Sequence, residues 1–101
     1  MKVCVDWDAT LVDENQEWLD GAVESLVRML GWKWELTIQS CRAEWPEGKQ
    51  QIVDKLREER LHHVSVTDRK PYADVYVDDK GVTFTNWADV LEVLIDRNRS
   101  L

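Results

Sequence analysis

The residues best able to do chemistry are two aspartates, Asp6 and Asp8, that close the first apolar stretch of the chain. Residues 3–5, Val-Cys-Val, are too short and too β-branched for a helix and predict a buried strand. Side chains two positions apart in a strand point the same way, so both carboxylates face one spot. Two close anions repel unless a cation or a shared proton lies between them, so the pair indicates a cation-binding or proton-transferring site. The alternative is a polar strand end with two solvated aspartates.

The elements that position this pair alternate between strand and helix. Apolar residues at helical spacing predict a helix over residues 17–30, after a short polar loop at residues 10–16. Residues 34–40 alternate as a second strand with one better-covered face. Pro46 begins a second helix that runs to about residue 61. Residues 62–66 predict a weak third strand, residues 73–77 a strong fourth and residues 82–85 a short fifth, and Asn86 caps a last helix.

Strands separated by single helices predict a parallel sheet with right-handed crossovers. We expect a three-layer, Rossmann-like α/β fold with strand order 3-2-1-4 and a fifth strand at the edge. The first two helices then cover one face and the last helix covers the other. Ligands of such sheets bind beyond the carboxyl ends of the strands, where the strand order reverses, here between strands one and four. That crevice collects four carboxylates, a hydroxyl and an amine: Asp6, Asp8, Asp78, Asp79, Ser40 and Lys70.

Composition limits the kinds of protein and partner. The 101 residues, 44% of them hydrophobic and six of them tryptophan, predict one folded domain over residues 1–101. A net charge of −7 argues against extended nucleic-acid binding but allows a nucleotide or a nucleic-acid end held at one site. No apolar run approaches the ~18 residues of a membrane span, and no signal peptide is visible. We therefore expect a cytoplasmic protein with reduced thiols at Cys4 and Cys41 and no membrane partner.

The residue types gathered at the crevice indicate a metal and a phosphate. Clustered carboxylates favour a hard cation, and Mg²⁺ suits best because it takes one or two carboxylates and leaves room for phosphate oxygens. Lys70 would neutralise a phosphoryl group, and Ser40 would donate a hydrogen bond to it. The glycine-rich phosphate loops and the pattern of a cysteine followed six positions later by arginine are missing. The adjacent His62 and His63 alternate across a strand and would not chelate one metal.

Four motifs in order resemble those of the haloacid dehalogenase (HAD) superfamily of phosphotransferases. DWDATL is similar to the family's DxDGT signature, and LTIQSCR to its second motif, an apolar strand ending in Ser or Thr. In DRKPYADVYVDD, Lys70 is similar to the third motif and the pair Asp78-Asp79 to the fourth. The run KPYADVYVDDKG followed by Trp87 resembles small, capless HAD-like proteins of bacteria and phages. The chain departs from the pattern at Ala9, where the family usually has Gly.

The resemblance implies a Mg²⁺-dependent phosphohydrolase in the cytoplasm of a bacterium or a phage-infected host. In this reaction Asp6 attacks phosphorus to form an aspartyl phosphate, while Asp8 protonates the leaving group and then activates water. The implied Mg²⁺ ligands are Asp6, the backbone carbonyl of Asp8, Asp78 and, directly or through water, Asp79. The implied phosphate contacts are Ser40, Lys70 and the amide of Thr10 or Ala9. Arg42 either touches the substrate or is an exposed surface arginine.

Two other protein classes compete with this interpretation. Response-regulator receivers also gather carboxylates, a hydroxyl and a lysine, but their lysine ends the last strand, whereas Lys70 precedes an acid pair. The stronger alternative is a HAD-like protein that binds Mg²⁺ or a phosphorylated ligand without turnover, or acts by association.

The short loops after strands one and three leave no room for a cap, so we expect an open site. Either a large phosphorylated substrate or another subunit of a homo-oligomer covers it. Trp7, Trp18 and Trp45 lie near these loops and supply either apolar contact for that partner or core packing.

Overall fold

The computed structural model describes residues 1–78, 82 and 84–100, which form a parallel sheet covered by α-helices. The strands are β1 (Lys2–Asp6), β2 (Glu35–Gln39), β3 (Ser65–Thr67) and β4 (Val75–Val77). The α-helices are α1 (Ala22–Gly31), α2 (Pro46–Glu58) and α3 (Trp87–Arg99), and a short 3₁₀ helix covers Cys41–Glu44. None of the helices in this described part of the chain is long and apolar enough to cross a membrane.

The sheet has the strand order β3-β2-β1-β4 with all neighbours parallel. Val5 of β1 pairs with Ile38 of β2 on one side and with Val77 of β4 on the other. The predicted α/β class and the order 3-2-1-4 are therefore confirmed. The chain runs from β1 outward through β2 to β3 and then returns to the opposite side of β1, so the order reverses between β1 and β4.

All three helices pack on one face of the sheet. The side chains of Val3 and Val5 join one hydrophobic cluster with buried residues of all three helices, and α1 contacts α3. Cys4 points to the opposite face, where it is buried but lies outside this cluster. The fold is thus two layers, and the expectation that the last helix covers the second face is wrong.

The irregular connection at residues 68–74 lies against the second face in place of a helix. The Tyr76 hydroxyl, on the same face as Cys4 because the two residues pair in register, donates to the carbonyl of Pro71 over 2.5 Å. The same hydroxyl accepts the backbone N–H of Ala73 at 3.1 Å. These bonds attach the connection between β3 and β4 to the sheet directly, and this explains why no helix is needed there.

The first helix begins later than its apolar spacing predicts. It starts at Ala22, because the preceding residues fold back onto the loop after β1: the amide of Leu19 donates to the carbonyl of Leu11 at 2.9 Å. Gly21 caps the helix with φ 80°, a left-handed conformation that glycine adopts at little cost. The loop predicted to be polar also contributes to the core, since Leu11 and Val12 are fully buried.

The remaining boundaries differ by a few residues. The second helix ends at Glu58 instead of near residue 61, and β3 covers Ser65–Thr67 instead of residues 62–66. Asn86 caps α3 as predicted, accepting the amide of Asp89 at 3.0 Å. Of the predicted fifth strand, Val82 makes a single parallel bridge to Val77. The rest of that strand includes Thr83, which lies outside the described residues, as does the predicted turn at residues 80–81.

Candidate functional site

Two of the predicted carboxylates lie side by side at the carboxyl edge of the sheet. Asp6 is the last residue of β1 and Asp78 directly follows β4, and the preceding residues, Val5 and Val77, are register partners. Adjacent strands are ~4.8 Å apart, so the two residues leave the sheet next to each other at the point where the strand order reverses. Asp78 is buried, with 8% of its surface exposed. The fourth predicted carboxylate, Asp79, lies outside the described residues.

Lys70 lies at the same edge of the sheet, although it precedes β4 in sequence. Its ammonium group bonds the Asp78 carboxylate at 2.9 Å and lies 4.6 Å from the centre of the Tyr76 ring. The hydrogen bond to Asp78 raises the pKa of Lys70 above its ordinary value, so the amine is fully charged at neutral pH. A positive charge at the Asp78 carboxylate suits the binding of a phosphoryl group.

Ser40 shares an open cleft of about 250 Å³ with Asp6 and Asp8. It directly follows β2 and is buried, and its Oγ accepts the backbone N–H of Arg42 at 3.1 Å. That bond caps the 3₁₀ helix and fixes the position of the serine side chain. The hydroxyl hydrogen is left to donate to a ligand, as the sequence interpretation requires.

The backbone amides near the cleft are hydrogen-bonded within the loop. The amide of Ala9 donates to the carbonyl of Val12 at 2.9 Å, and that of Thr10 makes a long 3.4 Å bond to the carbonyl of Trp7. Thr10 itself is buried, and its carbonyl accepts the indole N–H of Trp87 at 3.0 Å. The resemblance assigns one of these amides to phosphate binding, and of the two the weak Thr10 bond costs less to break.

Asp8 leaves the strand and is held by two side chains that come from different parts of the chain. The Arg42 guanidinium donates to both carboxylate oxygens, with Nε 3.0 Å from Oδ2 and Nη2 3.1 Å from Oδ1. The Gln16 amide donates to Oδ1 at 3.0 Å. Gln16 is in turn fixed by the indole N–H of Trp7, which donates to its Oε1 at 2.9 Å. The two aspartates therefore have different surroundings although they line one cleft: Asp6 is the last residue of β1, and Asp8 is bonded to Gln16 and Arg42.

The network also determines the charge of Asp8. Burial alone would raise the pKa of this carboxyl, but the hydrogen bonds from Arg42 and Gln16 and the positive charge of Arg42 outweigh it and lower the pKa. Asp8 is therefore ionised at neutral pH in this conformation, ready to accept a proton. Arg42, whose role the sequence left open between substrate contact and bare surface, instead binds the carboxylate of Asp8.

The pKa of the buried Cys4 thiol is affected by the charged residues of the site. Burial raises its pKa to about 11, with a further increase from Asp6 and a partial decrease from Lys70. The thiol is protonated at neutral pH and is no nucleophile, in keeping with a structural role. The charge of Asp78 raises the pKa of the thiol further.

The donors at the sheet edge fit a sparsely coordinated divalent cation. Among the residues that the structure describes, no three His, Cys, Asp or Glu side chains form a group that could hold a metal unaided. Mg²⁺ does not require such a group, because it binds through one or two carboxylates and keeps several waters. Asp6 and Asp78, which leave neighbouring strands together, match that donor set.

Sequence reasoning missed Gln16, and the signal that could have found it is Trp7. An indole between two aspartates must find an acceptor for its N–H if it is buried, and Trp7 is 1% exposed. Trp7 is therefore a core residue, packed edge to face on Trp18 at 5.4 Å. Trp18 is half-buried, whereas Trp45 is 65% exposed and is the tryptophan of the three that is most open to a partner.

Comparison with protein-family models, with curated proteins and with solved structures found no match to this chain. The resemblance of its motifs to the HAD superfamily therefore enters a proposal about function and not an assignment to a family.

Proposed function

We propose that this protein is a capless, HAD-like phosphohydrolase that uses Mg²⁺ and cleaves phosphomonoesters through an aspartyl phosphate on Asp6. The observation that carries the proposal is the set of side chains gathered at the carboxyl ends of the strands. Asp6 and Asp78 leave adjacent strands where the strand order reverses, and Lys70 bonds Asp78 at 2.9 Å. Ser40 lines the same cleft as Asp6. A nucleophilic carboxylate, a second acid, a cation and a hydroxyl at one edge are the groups that this reaction needs.

In the first half of the reaction, a carboxylate oxygen of Asp6 attacks phosphorus, and the bond from phosphorus to the leaving oxygen breaks. Lys70 and Ser40 stabilise the charge on the phosphoryl oxygens. Asp8, which is ionised in the free protein, must be protonated once the anionic phosphate lies beside it, and it then supplies that proton to the leaving oxygen. In the second half, water attacks the same phosphorus and the bond to Asp6 breaks. Asp8 takes the proton of that water, and inorganic phosphate is released.

Asp6, the backbone carbonyl of Asp8 and Asp78 would hold Mg²⁺, with Asp79 supporting it directly or through water. When bound, the ion supplies positive charge that offsets the phosphoryl oxygens and the clustered carboxylates. Lys70 also brings positive charge to Asp78, at 2.9 Å.

The substrate we propose is a large phosphorylated molecule or a nucleic-acid end. Residues 8–21 fold onto themselves and residues 68–74 lie against the sheet, so neither loop forms a lid over the cleft. An open cleft excludes water only when a large substrate or a second copy of the chain covers it. The net charge of −7 disfavours a long nucleic-acid tract, so a nucleic acid would bind by its end. We place the protein in the cytoplasm of a bacterium or a phage-infected host.

A second candidate is a HAD-like protein with weak or no turnover that binds Mg²⁺ or a phosphorylated ligand. The loop after β1 favours it at one position, Ala9, which stands where the family usually has Gly and adopts φ 62°. A methyl group in this left-handed conformation restricts the backbone beside the phosphate site.

Phosphate release from a generic phosphomonoester, with and without Mg²⁺, distinguishes the two candidates. We expect Mg²⁺-dependent release that Asp6→Asn abolishes and that Asp96→Asn, an exposed aspartate on α3, leaves unchanged. Saturable Mg²⁺ or phosphate binding without release would favour the second candidate. Release that survives Asp6→Asn would refute the proposed mechanism.

A further inference from the structure

The two oxygens of Asp8 are unequally occupied. Oδ1 accepts three donors: Arg42 Nε at 3.2 Å, Arg42 Nη2 at 3.1 Å and Gln16 Nε2 at 3.0 Å. Oδ2 accepts Arg42 Nε at 3.0 Å. A carboxylate oxygen has about two lone-pair sites, so Oδ1 is saturated and Oδ2 keeps the capacity to accept a proton. Asp8 also lines the cleft that contains Asp6 and Ser40.

Gln16 bonds Asp8 from a strained backbone conformation. Gln16 adopts φ 61°, a left-handed conformation that is unfavourable for a residue with a Cβ. The buried Trp7 indole bonds Oε1 and thereby turns the amide nitrogen toward Asp8. Strained residues persist where the surrounding structure requires them, and they cluster at functional sites.

The Arg42 side is fixed through the backbone. The amide of Arg42 donates to Ser40 Oγ, which ties the arginine to the end of β2. Gly48 of α2 packs so closely that an added Cβ would collide with the carbonyl of Arg42. The guanidinium therefore reaches Asp8 from a rigid base, although its side chain is 47% exposed.

We propose that Gln16 and Arg42 are positioning residues that hold Asp8 so that Oδ2 takes the proton of the water that hydrolyses the aspartyl phosphate. The inference rests on the proposed function and concerns its second half. The water oxygen bonds phosphorus, the bond from phosphorus to Asp6 breaks, and the water proton moves to Asp8 Oδ2. Both residues act through Asp8: Gln16 bonds Oδ1, and Arg42 bonds both oxygens of the carboxylate.

If Gln16 and Arg42 have this role, their loss should affect hydrolysis of the phosphoenzyme and not its formation. With p-nitrophenyl phosphate, the phenolate leaves without a proton, so the attack by Asp6 does not depend on the orientation of Asp8. Loss of Arg42 or Gln16 then slows hydrolysis alone. Misplacement of a catalytic group by ~1 Å costs up to ~100-fold, so we expect kcat to fall about 10–100-fold. KM should fall in parallel, and kcat/KM should change little.

The test compares wild type, Arg42→Met and Gln16→Met with p-nitrophenyl phosphate and Mg²⁺, by stopped flow and by acid quench. Two variants provide matched controls, because they remove the same groups from exposed carboxylate pairs on other helices. Arg99→Met removes the Arg99–Asp96 pair at 3.9 Å, and Gln50→Met removes the Gln50–Asp54 bond at 2.7 Å. Arg42→Lys keeps the positive charge but loses the paired N–H donors of the guanidinium. It should therefore recover part of the kcat that Arg42→Met loses.

We expect both site variants to show a burst of p-nitrophenolate and an accumulating phosphoenzyme, with control variants like wild type. A drop in kcat/KM without a burst means that the residues only support the fold and overturns the positioning role, while the phosphohydrolase stands. Unchanged kinetics overturn it equally. Failure of the wild type to release phosphate overturns the proposed function, and the positioning role with it. If Arg42→Met does not fold, the outcome for Gln16→Met decides.

Discussion

Replacing Ala9 by Gly should stabilise the protein, although Gly usually destabilises a fold. Ala9 has φ 62°, where an L-residue with a Cβ pays about 1–2 kcal/mol. Glycine removes that strain but adds about 0.4–1 kcal/mol of backbone entropy to the unfolded chain. Ala9 is exposed, so loss of its methyl group opens no cavity. The net gain is about 0.5–1 kcal/mol, the difference of these two contributions.

Thermal unfolding measured by circular dichroism reads out this change. About 1 kcal/mol shifts Tm by roughly 4–8 °C in a domain of this size, so Ala9→Gly should raise Tm by several degrees. Ala88→Gly makes the same chemical change at an exposed position in the first turn of α3 and should lower Tm, because glycine is less favourable than alanine in a helix. If Ala9→Gly lowers Tm as much as Ala88→Gly does, Ala9 is not left-handed in solution and the reasoning is refuted.

Three further outcomes follow from the charges at the site. Mg²⁺ at ~100 times its Kd should stabilise the protein by about 2.7 kcal/mol, and Asp78→Ala should abolish the resulting rise in Tm. Lys70→Met should lower turnover about 100-fold while the fold stays intact, since it removes the cation that stabilises the phosphoryl group. Asp8 has a lowered pKa in the folded protein, so its contribution to stability is complete above the unfolded value of 3.8 and is lost as pH falls through the folded one. Wild type should therefore lose more stability than Asp8→Asn on acidification below about pH 4.

Each of these outcomes has its own control. Lys2→Met removes an exposed 3.8 Å pair with Glu35 and should leave turnover unchanged, so an equal effect of both lysine variants would contradict the role of Lys70. An unchanged melting curve with Mg²⁺ in wild type and Asp78→Ala alike would argue against the metal site. Parallel acid-unfolding curves for wild type and Asp8→Asn would show that Arg42 does not hold Asp8 in solution.

The strand order and the sheet-edge residues could be predicted because they depend on local pattern and on topology. Short β-branched runs mark the strands, and right-handed crossovers fix their order. Asp6, Ser40 and Asp78 are placed simply by ending strands that prove to be neighbours. Lys70 lies near the carboxyl ends of the strands because it comes three residues after β3, which ends at Thr67, and its position before β4 does not predict this. Its bond to Asp78 could not be predicted from the sequence.

The layers and the loop after β1 could not be predicted, because they depend on contacts between distant residues. Leu19 fits a helical spacing, yet its amide bonds the carbonyl of Leu11 and the helix starts three residues later. The alternation in β2 did indicate one better-covered face, but it does not show that residues 68–74 cover the other. The hydrogen bonds among Gln16, Asp8 and Arg42 join three separate segments of the chain, and no residue spacing in the sequence predicts them.

The claim that Asp6 carries the phosphoryl group is tested most directly by trapping it. The protein is mixed with a phosphomonoester and Mg²⁺, quenched in acid, digested and examined by mass spectrometry. We predict one added phosphoryl group on the N-terminal peptide, assigned to Asp6 by fragmentation and missing from Asp6→Asn. Turnover without a phosphorylated peptide, or a phosphoryl group that persists in Asp6→Asn, would contradict it.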